Sequence, residues 1–227
     1  MGCEVIATGS KGNAVLLGGD MLIDCGVPFR SILGHCRRLK IVLLTHAHKD
    51  HFCPPTVRRL ALERPALRWG VPPWLAAETA ACGVAKRNID VLEMGARADY
   101  GCFAVRPVPL AHDVPNCGYK IRFADGGSAF YATDTGSLAG VEAKGYSLYL
   151  VEANHGEKEI LERIKAKQGG GKYCHEWDAL KNHLSEEKAL DWLYRNMGPA
   201  SRYVLLHGHG EGGARIAGAA PGNAQSA

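Results

Sequence analysis

Short apolar runs separated by turn residues predict β-strands in the first part of the chain. Residues 14–17 and 21–23 are apolar throughout, and the Gly18-Gly19-Asp20 turn between them predicts a hairpin. Residues 41–45 predict a buried strand that runs directly into a group of histidines. Pro54-Pro55 then predicts the start of a helix that continues to about Glu63, because proline is tolerated in a first helical turn. The histidines therefore lie in a loop between a strand and a helix.

Strand and turn patterns return in the second half of the chain. Residues 119–124 and 128–133 flank Asp125-Gly126-Gly127, a turn sequence that predicts a second hairpin. Residues 147–152 predict a further buried strand, and residues 203–206 predict the last one.

Two amphipathic helices are predicted between these last two strands. Apolar residues at helical spacing predict one buried face for each helix: Ile160, Leu161 and Ile164 in the first, and Ala189, Leu190 and Leu193 in the second. Strands at both ends, with helices between and after them, predict two mixed sheets packed face to face and covered by helices. The Gly/Ala-rich segment 212–227 has no periodic apolar face, so we expect one domain over residues 1–211 followed by a flexible tail.

Composition places the chain among ordinary globular proteins. Its 227 residues fit one domain, and 46% hydrophobic with 22% charged residues argue against disordered, collagen-like and membrane classes. We expect a cytoplasmic protein without a membrane partner, since there is neither an apolar run of about 18 residues nor a signal-peptide pattern. The eight cysteines form no Cys-x-x-Cys pair, which favours reduced thiols over disulfides. A net charge of +4 permits a nucleic-acid substrate without requiring one.

The histidine loop carries the strongest chemical signal. His46, His48, Asp50 and His51 place four possible ligands within six residues, and a loop that leaves a buried strand can turn them toward two neighbouring cations. Imidazole and carboxylate ligands suit zinc, manganese or iron. A merely solvated polar loop is the alternative, which this density of ligands disfavours.

Further candidates stand where predicted strands end: Asp24, His112, Asp134 and His207. A single such residue is more often a cap or turn former than a ligand. Four of them, together with the histidine loop, indicate one shared site.

These residues, in their order along the chain, resemble the five sequence motifs of the metallo-β-lactamase superfamily over residues 5–209. The resemblance implies an α/β fold, a four-layer αββα sandwich, and a metal-dependent hydrolase with two divalent ions. It implies that the first metal is bound by His46, His48 and His112, the second by Asp50, His51 and His207, and that Asp134 bridges them. It further implies that Asp24 orients the metal loop without binding metal.

Smaller motifs resemble one branch of that superfamily. Residues 8–14, residues 23–26 and the run Ala132-Thr133-Asp134-Thr135-Gly136 look like the YycJ (WalJ) branch, which is described as DNA exonuclease-like. Residues 182–189 are similar both to that branch and to the His-Ser-Thr-x-Glu loop of ribonuclease Z. The chain departs from the pattern after His207, where Gly208-His209 follows, so His209 stays open as an alternative ligand.

The expected reaction is phosphodiester cleavage of nucleic acid, DNA more than RNA. Asp50 would orient or deprotonate the attacking water, His183 would donate a proton or hydrogen bond to phosphate, and Glu187 would fix the orientation of His183. The large insertions that hold tRNA in ribonuclease Z are not visible, which disfavours tRNA processing.

Two other functions are considered. A small-molecule thioester, lactone or β-lactam hydrolase could use the same metals, since fold alone does not decide substrate. A binding module that lost turnover would lack ligands, and none is missing. Glu152 and His155 fit either support of the metal ligands or simple hydrogen bonding at a strand end. Basic residues fit either a phosphate path or a solvated face: Lys11, Arg37, Arg38, Lys40, Arg58 and Arg59.

Overall fold

The computed structural model describes residues 2–167 and 175–208 and, for the backbone alone, residues 215–217. Within these ranges the first sheet has six strands in chain order: β1 (Cys3–Ala7), β2 (Ala14–Leu17), β3 (Met21–Ile23), β4 (Ile41–Leu43), β5 (Arg68–Val71) and β6 (Ile89–Val91). The strands β1 to β3 pair antiparallel, and β3 to β6 pair parallel. The connections carry α1 (Phe29–Cys36), α2 (Pro54–Glu63) and α3 (Ala76–Ala81), with single 3-10 turns at Pro73–Leu75 and Lys86–Asn88.

The second sheet has seven strands within the described residues. They are β7 (Ala98–Asp99), β8 (Phe103–Leu110), β9 (Asn116–Phe123), β10 (Ser128–Ala132), β11 (Leu148–Glu152), β12 (Arg202–Leu206) and β13 (Arg215–Ala217), which lie side by side in the reverse of this order. The central strands β10, β11 and β12 run parallel, and the remaining pairs are antiparallel. The helices α4 (Glu157–Lys167), α5 (His175–Asn182) and α6 (Glu186–Asn196) lie between β11 and β12 in the chain.

Alternation of side chains along the strands creates the layers. In β3, Leu22 packs with Ile32 and Leu60 of the helices, whereas Ile23 faces the other sheet and packs with Tyr119 and Tyr131. The outer face of the second sheet buries aromatic residues of β10 and β11 against Trp192 and Leu193 of α6. The predicted four-layer αββα sandwich is therefore confirmed.

Most predicted elements are found close to their predicted bounds, but the burial predicted for two helical residues is wrong. Leu161 is 46% exposed and Leu190 is 39% exposed, although both were predicted to share a buried face. The buried positions lie three or four residues apart along one stripe of each helix: Ile160 and Ile164 in α4, and Ala189, Trp192, Leu193 and Asn196 in α6. A residue next to one of them points about 100° away, which leaves it at the edge of the buried stripe.

Three residues of the predicted tail do not follow that prediction. Residues 215–217 pair with β12 as an edge strand, because backbone hydrogen bonds can order a short segment that has no periodic apolar face of its own. The rest of segment 212–227 lies outside the described residues, as do His209 and Cys174. The described cysteines form no disulfide, and no helix in the described ranges is long and apolar enough to cross a membrane.

Candidate metal centre

The histidine loop between β4 and α2 is held at a fixed depth by backbone contacts. His46 and His51 are completely buried, whereas the side chains of His48 and Asp50 remain partly open to solvent. The Asn13 amide donates a 2.6 Å hydrogen bond to the Asp50 carbonyl. A Cβ atom at Gly26 would lie 1.7 Å from that same carbonyl oxygen, so only glycine allows this approach. The glycine after β3 therefore fixes where the loop presents its side chains.

Three strand ends meet this loop in an uncommon backbone conformation. Asp24 after β3, Asp134 after β10 and His207 after β12 have φ angles of 59°, 55° and 59°, in the left-handed region that non-glycine residues rarely adopt. Asp24 Oδ2 lies 2.7 Å from His51 Nδ1, and Asp134 Oδ2 lies 2.7 Å from His51 Nε2. Asp134 Oδ1 lies 3.3 Å from His207 Nε2. The turns thus bring three distant segments together around His51.

The predicted ligands gather into overlapping sets whose donor atoms lie within 4.8 Å of one another. These sets are His46 with His48 and His112, Asp50 with His51 and His207, and Asp134 with His46 and His51. They have the composition that the resemblance implied for a first metal, a second metal and a bridging carboxylate. A fourth set contains Asp134 and His207 together with Glu152 and His183, which were not predicted as ligands.

Two buried nitrogen atoms without hydrogen-bond partners indicate that the centre fits metal ions. His46 Nε2 and His207 Nε2 have no hydrogen-bond partner among the described residues, although buried polar atoms are nearly always satisfied. Imidazole nitrogens and carboxylate oxygens are the donors that zinc and similar cations take. The residues present therefore fit divalent cations, which would satisfy both nitrogens.

Two groups in the cluster have protonation preferences that suit metal binding, whereas burial of His51 and His207 is outweighed by neighbouring carboxylates that raise the pKa of both rings, so a cation bound there would displace a proton. Burial, together with the neighbouring His51, lowers the pKa of His46 to about 2, so its ring stays neutral with a free lone pair. Burial alone would oppose ionisation of Asp134, but His51 and His207 outweigh it and hold the pKa of Asp134 well below its usual value. A neutral imidazole and an ionised carboxylate are the forms in which these groups bind cations.

Asp24 lies behind the metal loop, on the side away from the pocket. Its carboxylate accepts hydrogen bonds from the Thr45 amide at 2.9 Å and from the Thr45 hydroxyl at 3.0 Å, besides the contact with His51 Nδ1. Holding the proton on Nδ1 leaves His51 Nε2 as the atom directed toward Asp134. On the other side, His112 Nδ1 lies 3.2 Å from the Asn182 carbonyl, which in the same way leaves Nε2 for the cluster.

His183 lies beside the cluster and is held by Glu152. The His183 Nδ1 atom is 2.5 Å from Glu152 Oε1 and 3.5 Å from Asp134 Oδ1. Glu152 is fully buried at the end of β11, and its Oε2 accepts the Thr135 amide at 2.9 Å. Burial disfavours a charged His183 ring, but the hydrogen bond and charge of Glu152 outweigh it, so the pKa of His183 is raised.

The prediction that Glu187 orients His183 is wrong. Ser185 is the N-cap of α6, and its hydroxyl accepts the Lys188 amide. That start directs Glu187 toward the beginning of α4, where its carboxylate accepts the Glu157 amide at 3.1 Å. Glu152 takes the role instead, and the sequence signal for it was its position at a strand end, shared with Asp24 and Asp134.

An open pocket of about 440 Å³ lies over the centre. His48, Asp50, His112, Asp134, His183 and His207 line it, together with Ser10, Asp113, Asp178, Lys181 and Asn182, which were not predicted as site residues. Two of the basic residues considered for a phosphate path have local partners instead: Lys40 pairs with Asp20 at 2.7 Å, and Arg59 pairs with Glu63 at 2.6 Å. Lys181, at the end of α5, is the cation that lines the pocket wall.

Residues 20–207 match the family model described as the β-lactamase superfamily domain. This match covers most of the chain, and the chain therefore belongs to that superfamily. No curated protein matches the chain by sequence.

Solved structures with a similar fold include the short form of human tRNase Z, with 18% identity, a TM-score of 0.66 and coverage of 92% of each chain. The metallo-β-lactamase fold protein YhfI from Bacillus subtilis has 15% identity and a TM-score of 0.64, over 91% of this chain and 85% of the other. A diphosphatase of the PhnP family has 16% identity and a TM-score of 0.62 over the same shares. At these identities the likeness shows the metallo-β-lactamase fold alone.

Proposed function

We propose that this member of the β-lactamase superfamily is a dinuclear metal-dependent phosphodiesterase that cleaves nucleic acid, DNA more readily than RNA, as the YycJ-like branch is expected to do. The observation that carries the proposal is the pair formed by His183 and Glu152 at the edge of the metal cluster. Such a pair supplies a proton donor next to the metal ligands. Hydrolysis of a diester needs that donor because an alkoxide is a poor leaving group.

Two side chains of this protein would act on the two oxygens of the reaction, that of the attacking water and that of the leaving group. Divalent cations in the centre would lower the pKa of a water molecule and polarise a phosphoryl oxygen. Burial opposes ionisation of Asp50, but His207 and His51 lower its pKa, so its carboxylate is ready to orient that water or accept its proton. The His183 Nδ1–H donates a hydrogen bond to the Glu152 carboxylate, which leaves Nε2 of the protonated ring to give a proton to the leaving oxygen.

The pocket and the structural neighbours support a phosphate substrate. Lys181 lines the pocket beside His183 and offers a cation to a phosphate oxygen. Two of the similar structures are named as a tRNase and a diphosphatase, and both of those names refer to cleavage of phosphate linkages. We infer the same class of bond for this chain, and zinc as the metal, with manganese or iron as the alternatives.

A substrate panel tests the proposal. The protein would be reconstituted with zinc, manganese or iron and given single- and double-stranded DNA, RNA and bis(p-nitrophenyl) phosphate, alongside a lactone and a thioester. We expect the phosphodiesters to be cleaved with the higher kcat/KM. Faster hydrolysis of the lactone or the thioester would refute the proposal in favour of a small-molecule hydrolase.

A further inference from the structure

A basic groove lies on the second sheet, apart from the metal centre. Its volume is about 360 Å³, and six of its lining side chains carry charge, five of them positive: Arg97, Arg106, Lys120, Arg122, Lys144 and Glu142. The metal pocket shares none of these residues. The function proposed above does not use the groove.

The strand pattern places these cations on one face. Val105 and Ile121 of β8 and β9 point into the core between the sheets, so their neighbours Arg106, Lys120 and Arg122 point outward. The register sets Arg106 directly opposite Lys120. Like charges in directly opposed positions destabilise a sheet, so this pair works against folding. A local cost of this kind is typical of a functional surface.

Four of the five cations in the groove form no ion pair with an acidic side chain among the described residues. Among the residues that the structure describes, Arg106, Lys120 and Lys144 form no ion pair with an acidic side chain, whereas Arg97 pairs with Asp99 at 2.8 Å. The Arg122 guanidinium lies 5.0 Å from the centre of the Tyr146 ring, which holds it in place without neutralising it. Burial, and after it the charge of Arg106, lowers the pKa of Lys120, although Glu142 in the same groove opposes this shift. The groove thus has a positive field that an anion would relieve.

A surface depression of about 670 Å³ adjoins the groove. It shares Glu142 and Lys144 with the groove, and Gly136 is among its other lining residues. Gly136 packs against the backbone of Lys181, since a Cβ there would lie 2.2 Å from the Lys181 carbonyl oxygen. Lys181 lines the metal pocket. A chain could therefore pass from the metal pocket to the groove along the surface.

The span between the groove and the centre suits several nucleotides. Arg106 precedes Leu110 at the end of β8 by four residues, which is about 13 Å at roughly 3.3 Å per residue. Phosphates along one strand of a duplex advance about 3.4 Å each along its axis, so this distance spans at most about four nucleotides, and fewer in an extended single strand. A single nucleotide or a small diester in the metal pocket is too short to reach the groove.

We propose that the groove around Arg106 and Lys120 is a second phosphate-binding surface, which holds the backbone of a nucleic-acid strand several nucleotides from the bond that is cut. The inference rests on the proposed phosphodiesterase function and narrows its substrate class to polynucleotides. Contacts to phosphate carry no sequence information, so the surface binds DNA and RNA strands without regard to sequence.

The test removes two groove charges and compares a long substrate with a short one. The double variant Arg106→Gln/Lys120→Gln is matched by Lys86→Gln/Arg87→Gln, which removes two exposed charges beside the first sheet. The metal-loaded proteins are assayed for kcat/KM on a 20-nucleotide single strand of DNA or RNA and on bis(p-nitrophenyl) phosphate, between 50 and 200 mM salt. Thermal unfolding is measured in parallel.

We expect the groove variant to cleave the 20-nucleotide strand roughly tenfold less efficiently at low salt, while the small diester reports an intact metal centre. The slope of log(kcat/KM) against log salt concentration on the 20-nucleotide strand should become less steep by about 1.4, since each phosphate contact to a single strand contributes about 0.7. Its Tm should not fall, because the repulsion between two cations has been removed. The matched control should resemble the unaltered protein in every assay.

The possible negative results distinguish the groove inference from the proposed function. If groove variant and control cleave the long strand equally, the groove inference is wrong while the phosphodiesterase proposal stands. If the unaltered protein cleaves only the small diester, both the groove inference and the proposed nucleic-acid substrate are wrong, and phosphodiester cleavage alone remains. If no phosphodiester is cleaved, the proposed function itself is wrong. Tighter groove-dependent binding of polyglutamate or of anionic phospholipid vesicles than of the 20-nucleotide strand would assign the groove to another partner.

Discussion

Replacing His183 with alanine tests the chemistry proposed for the centre. The His183 side chain is 20% exposed, faces the pocket and contacts Glu152 and Asp134. It belongs to neither of the ligand triads predicted from the sequence, although it lies close enough to Asp134, Glu152 and His207 for these residues together to hold a cation. Loss of a positioned proton donor lowers a rate by about 10²–10⁴-fold. At about 1.36 kcal/mol for each factor of ten, the transition state loses about 2.7–5.4 kcal/mol. We expect this loss in kcat on bis(p-nitrophenyl) phosphate.

Two further variants separate chemistry from folding. His183→Ala leaves Glu152 buried without its histidine partner, which can destabilise the protein, so His183→Ala/Glu152→Gln is measured beside it to remove the buried charge. Glu187→Gln is the matched control because Glu187 caps α4 and does not contact His183. Kinetics, metal content by elemental analysis and thermal unfolding are compared for all three. Glu187→Gln should keep the unaltered rate.

The pH profile gives an independent readout. Glu152 raises the pKa of His183, and the protonated ring is the donor, so the rate should fall as pH rises through that raised pKa. Glu152→Gln removes the charge that raises it, and the fall should then begin at a lower pH. The reasoning is refuted if His183→Ala keeps the full rate. It is also refuted if the rate of Glu152→Gln begins to fall at the same pH as the rate of the unaltered protein. Loss of a metal ion in His183→Ala would instead make His183 a ligand.

Three other results are expected. Asp24→Asn removes the anion that holds His51, and chelator competition should show metal affinity reduced by about 10–100-fold. Gly26→Ala forces a methyl group into the Asp50 carbonyl and should lower both the metal content and the urea midpoint of unfolding. Its control is Gly34→Ala in α1, where an added methyl group meets no atom within 4 Å, and this change should stabilise the folded protein by about 0.5–1 kcal/mol. Cys25→Ala and Cys53→Ala should keep the metal content measured for the unaltered protein, since neither thiol belongs to a ligand set; loss of a metal ion from either would contradict the His/Asp assignment.

The part of the fold that the sequence predicts well has strong local signals. The strands β2 and β3 are continuous apolar runs divided by glycines, and α2 begins at paired prolines, so their predicted bounds agree with the structure. The helix α1 was not predicted because it buries only Ile32 and Cys36, one turn apart, which is too little for a recognisable period.

The same distinction applies to the candidate site, where residues with a local sequence signal were predicted and a long-range contact was not. Residues that end strands or share the histidine loop could be found from their positions, because a strand end carries its side chain to the edge of a sheet. The pairing of Glu152 with His183 could not, although Glu152 also ends a strand, since the two residues are 31 apart in the chain and meet only through packing between β11 and the loop before α6. Local helical spacing pointed to Glu187, a residue on the wrong side of that loop. Long-range hydrogen bonds are invisible to local periodicity.

Backbone strain at the strand ends is the feature least accessible to the sequence. Asp24, Asp134 and His207 all adopt left-handed backbone conformations, each at a cost of roughly 1–2 kcal/mol for an L-residue. Glycine would remove the cost at each position, but it would also remove the side chain that reaches His51 or its neighbours. The packed sheets behind these turns supply the energy that holds them. Strain therefore coincides with the residues that form the centre, which is how three unconnected strands aim their side chains at one point.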